Sequence, residues 1–206
     1  MTTRIKFINR SMNYNLPQIF ITAENGMSAI DTITDGIAWR VIKGIGCGSV
    51  SQFNFNSSFS IRASWDKGKS LTKTLPAQFE GQYAVMQNST GIILEKVGNA
   101  ATQGCIELIN HIHEDNGVLA QLYNDGKLIM GKKNVGYKQS ALFKPSQKLY
   151  WGLASEIKEG KSLTSKSAVL NTNSLFELDL SGVSDVLVSL NGNAKEGYYF
   201  QVEEQR

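Results

Sequence analysis

Two histidines, His111 and His113, stand in the run Asn110-His111-Ile112-His113-Glu114. In a β-strand, residues two apart share a face, so this spacing would aim both imidazoles at one metal ion. Cys105 and Glu107 lie further back on that face, and Asp115 continues it past the next turn. A catalytic metal needs a third protein ligand. With no other histidine in the chain, that ligand would be Glu, Asp or Cys, which makes His111, His113 and Glu107 the candidate set. A solvent-facing strand end with ordinary polar imidazoles accounts for the same residues, so no metal or other cofactor is assigned.

Other catalytic spacings fail on context. Gly126-Lys127-Leu128-Ile129-Met130-Gly131-Lys132-Lys133 follows a phosphate-binding loop until its last position, where Lys133 replaces the Ser or Thr that would hold magnesium. Such a loop joins a strand to a helix, whereas Leu128 to Met130 reads as a strand after an Asn-Asp-Gly turn. Gly44, Gly46 and Gly48 fail the dinucleotide fingerprint because Ser49 takes the third glycine position. Ser70-Leu71-Thr72-Lys73 and Ser155-Glu156-Ile157-Lys158 have serine-x-x-lysine spacing, but neither segment reads as helix and the partner motifs are missing. These exclusions point to a protein that is not an enzyme.

Aromatic and basic residues supply a different chemistry. Tyr and Trp combine an apolar body with a polar tip, which suits stacking on sugars or resting in a membrane interface. Tyr150 and Trp151 are consecutive, as are Tyr198 and Tyr199, so in strands one member of each pair faces outward. Trp39, between Ile37-Ala38 and Val41-Ile42, reads as core. From Lys127 to Lys148 the chain carries six lysines, Lys127, Lys132, Lys133, Lys138, Lys144 and Lys148, and no acid. Such a run either faces an anionic partner or protects sheet edges from pairing.

The elements that must position these residues are strands. From Gln52 to Trp65, Phe53, Phe55, Phe59, Ile61, Ala63 and Trp65 keep odd positions and polar residues keep most even ones, which predicts one long half-buried strand bent at Ser57. Glycine turns separate such runs at short intervals, among them Asp66-Lys67-Gly68, Asp115-Asn116-Gly117, Asn124-Asp125-Gly126, Asn191-Gly192-Asn193 and Lys195-Glu196-Gly197. Only Met27 to Asp35 has a helical spacing, and Ala168 to Leu170 is a further short strand candidate. The expectation is an all-β fold, a single-domain β-sandwich over residues 1–206 with roughly a dozen mostly antiparallel strands.

The composition agrees. Of 206 residues, 41% are hydrophobic and 19% charged, enough apolar content for a core and too much for a disordered chain. The net charge of +3 is too small to indicate nucleic acid. No apolar run is long enough to span a bilayer as a helix. The first 25 residues lack an uninterrupted apolar stretch, so synthesis in the cytoplasm without a cleaved signal is expected, and action at a surface would require release by a non-classical route. Two cysteines, Cys47 and Cys105, make no disulfide framework.

Several segments resemble an uncharacterised family of bacterial β-rich proteins: Ala38-Trp39-Arg40-Val41-Ile42 with Gly46-Cys47-Gly48-Ser49, Leu75-Pro76-Ala77 with Gly81-Gln82, and Phe143-Lys144-Pro145 with Trp151-Gly152. That resemblance implies a shared fold and transfers no site. The chain is also similar, in Leu75-Pro76 leading to Gly81 to Tyr83 and in aromatics beside lysines, to actinoporin-type cytolysins. That family implies a membrane-binding β-sandwich; its amphipathic N-terminal helix has no counterpart here. The His-x-His pair resembles cupins in that feature alone.

Together these readings predict a non-enzymatic surface-recognition protein for glycan or membrane, toxin-like in kind. Exposed members of Tyr150, Trp151, Tyr198 and Tyr199 would be its anchors, with Lys132, Lys133 and Lys138 beside them. A self-assembling structural protein or homo-oligomer is the alternative, and a metal-dependent enzyme on the His111 and His113 strand is the third.

Overall fold

The computed structural model of the chain describes residues 2–12, 16–26, 36–163 and 175–206. The helical spacing at Met27 to Asp35 and the strand candidate at Ala168 to Leu170 lie outside these residues. The described fold is all-β, with strands β1 (Thr2–Asn9), β2 (Gln18–Asn25), β3 (Arg40–Ile42), β4 (Val50–Asn56), β5 (Phe59–Trp65), β6 (Ser70–Leu71), β7 (Leu75–Ala77), β8 (Gly81–Asn88) and β9 (Gly91–Asn99) in its first half. The second half holds β10 (Ile106–Asn110), β11 (Val118–Asn124), β12 (Lys127–Val135), β13 (Ser140–Phe143), β14 (Pro145–Ala154), β15 (Phe176–Asp179), β16 (Asp185–Asn193) and β17 (Gly197–Gln205). The count exceeds the expected dozen because β3, β6 and β7 are too short to show a period. No helix among the described residues is long and apolar enough to cross a membrane.

The long alternation from Gln52 to Trp65 is two strands. Phe55, Phe59, Ile61 and Ala63 are buried as the odd face requires, but the chain breaks at Ser57-Ser58 and enters a different sheet. Asn191-Gly192-Asn193, expected as a turn, lies within β16, and the hairpin turns instead through Lys195-Glu196.

The strands form two compact units. The first contains the described residues of 2–24, 36–57 and 147–206, and the second contains Asn25, Gly26 and 58–146. In the first unit one sheet has the order β17-β16-β1-β4 and the other β15-β14-β2-β3. Aromatic rings join their facing sides: Trp151 of β14 lies 6.0 Å from Phe7 of β1, 6.0 Å from Phe53 of β4 and 5.9 Å from Phe200 of β17. Trp39 meets Phe53 and Phe55 edge-on at 5.8 and 5.6 Å. In the second unit the sheets are β13-β10-β8-β9 and β12-β11-β5-β6, with β7 also on β5. Here the Tyr83 hydroxyl of β8 donates to the Pro76 carbonyl of β7 at 2.9 Å and accepts from the Gln78 amide at 2.9 Å.

Both units follow one plan. β1 runs parallel to β16 and antiparallel to β4, while β10 runs parallel to β8 and antiparallel to β13. The hairpins β16-β17 and β8-β9 each shift register at one place, between Leu187 and Val188 and between Gln82 and Tyr83. β1 ends in Asn9 and β10 in Asn110, and both side chains are fully buried. The Asn9 amide donates to the Ser49 carbonyl and its carbonyl accepts from Gly48; Asn110 does the same with Gln139 and Lys138. Each Oδ1 accepts the amide two residues on, from Ser11 and Ile112, at 2.9 Å. Each Nδ2 donates across the unit, to Ile45 at 2.8 Å and Val135 at 2.9 Å. A buried side-chain amide costs free energy unless it is satisfied in this way. In chain order the plan is interleaved: β10 to β13 play in the second unit the part of β1 to β4 in the first, and β5 to β9 the part of β14 to β17.

Two features of the first unit carry stability predictions. A Cβ at Gly152 would sit 2.4 Å from the Phe20 ring and 2.8 Å from a Leu175 methyl. Phe20 belongs to a buried cluster with Ala38, Ala154, Ile157 and Leu163, so it has little room to yield. Gly152→Ala is expected to destabilise by ~1–3 kcal/mol through overpacking, read by chemical denaturation.

Arg10 grips Glu203 of β17 with Nε to Oε1 at 2.5 Å and Nη2 to Oε2 at 2.7 Å. The hydrogen bonds from Arg10, with its charge behind them, hold the Glu203 carboxyl below its usual range. A lowered carboxyl pKa stabilises the fold above the ordinary value, and that contribution is lost as pH falls through the folded-state value. Glu203→Gln should therefore lower the melting temperature slightly at pH 7, by an amount that fades to nothing in acid below the ordinary 4.5.

Candidate functional site

Among the described residues, the second unit has a cleft of about 550 Å³ at one end of its β5-β11-β12 sheet. Three segments build it. β5 delivers Ser64 and half-buried Trp65, and a single 3-10 turn continues with Asp66, Lys67 and Gly68. The loop before β11 contributes Glu114, Asp115, Asn116 and Gly117, and β12 adds Lys133 and Asn134. The backbone there is held in an uncommon form: Asp66, Lys67 and Asn134 have φ of 48, 55 and 56°. Non-glycine residues in this region carry strain, which tends to accumulate where a site is held in shape.

Gly117 closes the loop, its amide donating to the Glu114 carbonyl at 2.8 Å. Its φ is +63°, and an added Cβ would lie 2.5 Å from the Val135 carbonyl oxygen, so only glycine fits. The resulting wall sets Trp65 beside three carboxylates, two ammonium groups and two side-chain amides. Such a lining can stack one apolar face and hydrogen-bond several hydroxyls.

The first unit has a cleft at the matching place, of about 370 Å³, lined by Gln18, Lys43, Glu156, Ile157, Lys158, Lys161 and Ser162. Gln18 opens β2 and Lys43 follows β3, the strands that play the part of β11 and β12, on which Leu119 and Lys133 lie. Glu156 follows β14 as Asp66 follows β5, and Gly44 at φ +60° matches Asn134 at +56°. The two clefts therefore share position and one lysine but differ in chemistry.

The residues singled out in the sequence fall in both units. Trp151 is fully buried, which corrects its reading as an exposed anchor: alternation along β14 turns Trp151 into the aromatic core and Tyr150 outward. Tyr150 is half-buried and donates from its hydroxyl to Glu24 Oε2 at 3.0 Å; burial, with Glu24 behind it, pushes its phenol well above the usual range. Tyr199 is 58% exposed on β17, and Tyr198 is half-buried on the opposite side of that strand. All four aromatics belong to the first unit, whereas Lys132, Lys133 and Lys138 belong to the second.

Of those lysines, Lys133 lines the cleft, and Lys132 is exposed on β12. Lys138 places its Nζ 5.2 Å from the Tyr137 ring. Lys148, the last of the acid-free run, is in the first unit and pairs with Glu177 at 2.5 Å.

His111 and His113 lie beyond the end of β10, both exposed, and His113 stacks on Tyr137 at 3.7 Å. Glu107 is buried within β10, accepting from Gln82 Nε2 and Ser140 Oγ, each at 2.8 Å. These three are not gathered as ligands, and among the described residues no group of three or more His, Cys, Asp and Glu could hold a metal ion. Cys47 is exposed and Cys105 buried, and both are free thiols. Burial raises the Cys105 pKa.

The cleft residues missed in the sequence were in view there as turns. Asp66-Lys67-Gly68 and Asp115-Asn116-Gly117 were legible as chain reversals, and only the β5-β11 pairing brings both to one end. No family model matches the chain, and comparisons with curated proteins and with solved structures found no match.

Proposed function

We propose that this chain is a non-enzymatic surface-recognition protein whose second-unit cleft binds a glycan. The observation that carries the reading is Trp65 in a concave, strained cleft beside Asp66, Glu114, Asp115 and Asn116. A sugar ring presents an apolar face to stack on an indole and a rim of hydroxyls that carboxylates, amides and lysine can bind. The mixed charge of the cleft suits a neutral sugar more than a strongly charged one. A glycan array probed with the full chain, alongside liposomes of neutral and anionic lipid, tests it. Selective binding to a set of glycans supports the reading; binding to anionic liposomes alone, or to neither, overturns it.

A second reading, self-assembly, has one observation in its favour. β17 ends its sheet as a nine-residue strand with its outer edge unpaired by any described strand, a form that can add a strand from another copy. Light scattering behind size-exclusion chromatography decides it: a large, dilution-resistant species supports assembly, and a monomer refutes it.

A further inference from the structure

We propose that the first-unit cleft is an oxyanion site that takes the sulfate or carboxylate group of an acidic sugar. It sets three lysines, Lys43, Lys158 and Lys161, against one acid, Glu156. None of the three ammonium groups has an ion-pair partner among the described residues. Like charges brought to one concavity repel, and a bound anion removes that cost while accepting charge-assisted hydrogen bonds.

The floor of the cleft is prepared for the same ligand. Gln18 is fixed by the Ile157 amide, which donates to its Oε1 at 2.9 Å. That bond occupies the acceptor of the side chain and leaves its amide hydrogens, which are donors only, for an anion. Ser162 adds a hydroxyl, and the loop carrying Ile157 is seated on the core by the buried cluster of Phe20, Ala38, Ala154 and Leu163. Lys158 and Lys161 therefore stand on an anchored segment.

The shared plan strengthens the assignment. Lys43 follows β3, the counterpart of β12, and Lys133 on β12 lines the cleft of the second unit. The second-unit cleft adds three carboxylates to its lysines, and the first-unit cleft replaces that balance with a positive excess. Two sites of different charge would let one chain read a neutral and an acidic sugar. The choice of a glycan as carrier rests on the reading above; the oxyanion site itself does not.

The test is titration calorimetry of the full chain with inorganic sulfate, with a sulfated oligosaccharide and with its desulfated form. The sulfated sugar should bind at least about tenfold more tightly than the desulfated one, and sulfate alone should compete. Lys43→Gln with Lys158→Gln should remove that preference, and Lys43→Arg with Lys158→Arg should restore it, with melting curves confirming that each variant folds. Trp65→Ala should leave the sulfate response unchanged, so failure of the second-unit reading is separable from failure here. Equal binding of both sugars, or a sulfate preference that survives the glutamine pair, overturns the site. Sulfate binding without any sugar preference, together with lysine-dependent binding to anionic vesicles, overturns the glycan as carrier.

Discussion

Replacing Trp151 with alanine is expected to lower the unfolding free energy by ~3–5 kcal/mol, the range for deleting a large aromatic from a packed core. The side chain is fully buried and touches rings from three strands of the facing sheet, Phe7, Phe53 and Phe200. Its loss would leave a void that these rings cannot all collapse into. Trp151→Phe should recover most of the loss, because the indole Nε1 is buried without an acceptor and its removal relieves an unsatisfied donor. Urea denaturation of both variants checks the prediction. Unchanged stability with lost binding would return Trp151 to the surface.

Trp65→Ala should act in the opposite sense. Trp65 is half-buried at the end of β5 and lines the second-unit cleft, so its truncation removes the aromatic surface there. Binding of an array-selected glycan should fall by ~2 kcal/mol, about 30-fold, the cost of losing a central aromatic anchor. Trp65→Phe should retain a large part of the affinity, since it keeps an aromatic face. The melting temperature should move little in either variant. Weak dependence on Trp65, with strong dependence on Tyr199, would move the site to the face of β17.

Much of the fold is legible in the sequence because alternation reports burial. The odd face of β5 is buried where the pattern places it, and Trp39 lies in the core. Alternation alone could not decide which of Tyr150 and Trp151 faces inward, since it says only that they oppose. It also ran through Ser57-Ser58 without a change of phase, although β4 and β5 lie in different sheets.

The repeated plan stayed hidden for a physical reason. Many equivalent positions share a role and not an identity: Phe7 and Leu108 fill cores, Gly48 and Lys138 both take positive φ, and Gly44 stands where Asn134 does. Asn9 and Asn110 keep the same side chain for the same set of hydrogen bonds. The clefts were hidden by the interleaving, because the turns that line each come from opposite halves of the chain.

The most direct test of the recognition account is amide and indole chemical-shift mapping by nuclear magnetic resonance, with an array-selected glycan titrated into the full chain. The predicted result is a set of shifts at 64–68, 114–119 and 133–134, including the Trp65 indole, with a second set at Lys43 and 156–162 when the glycan is sulfated. Shifts confined to β17 around Tyr198 and Tyr199, or none at saturating glycan, would contradict it.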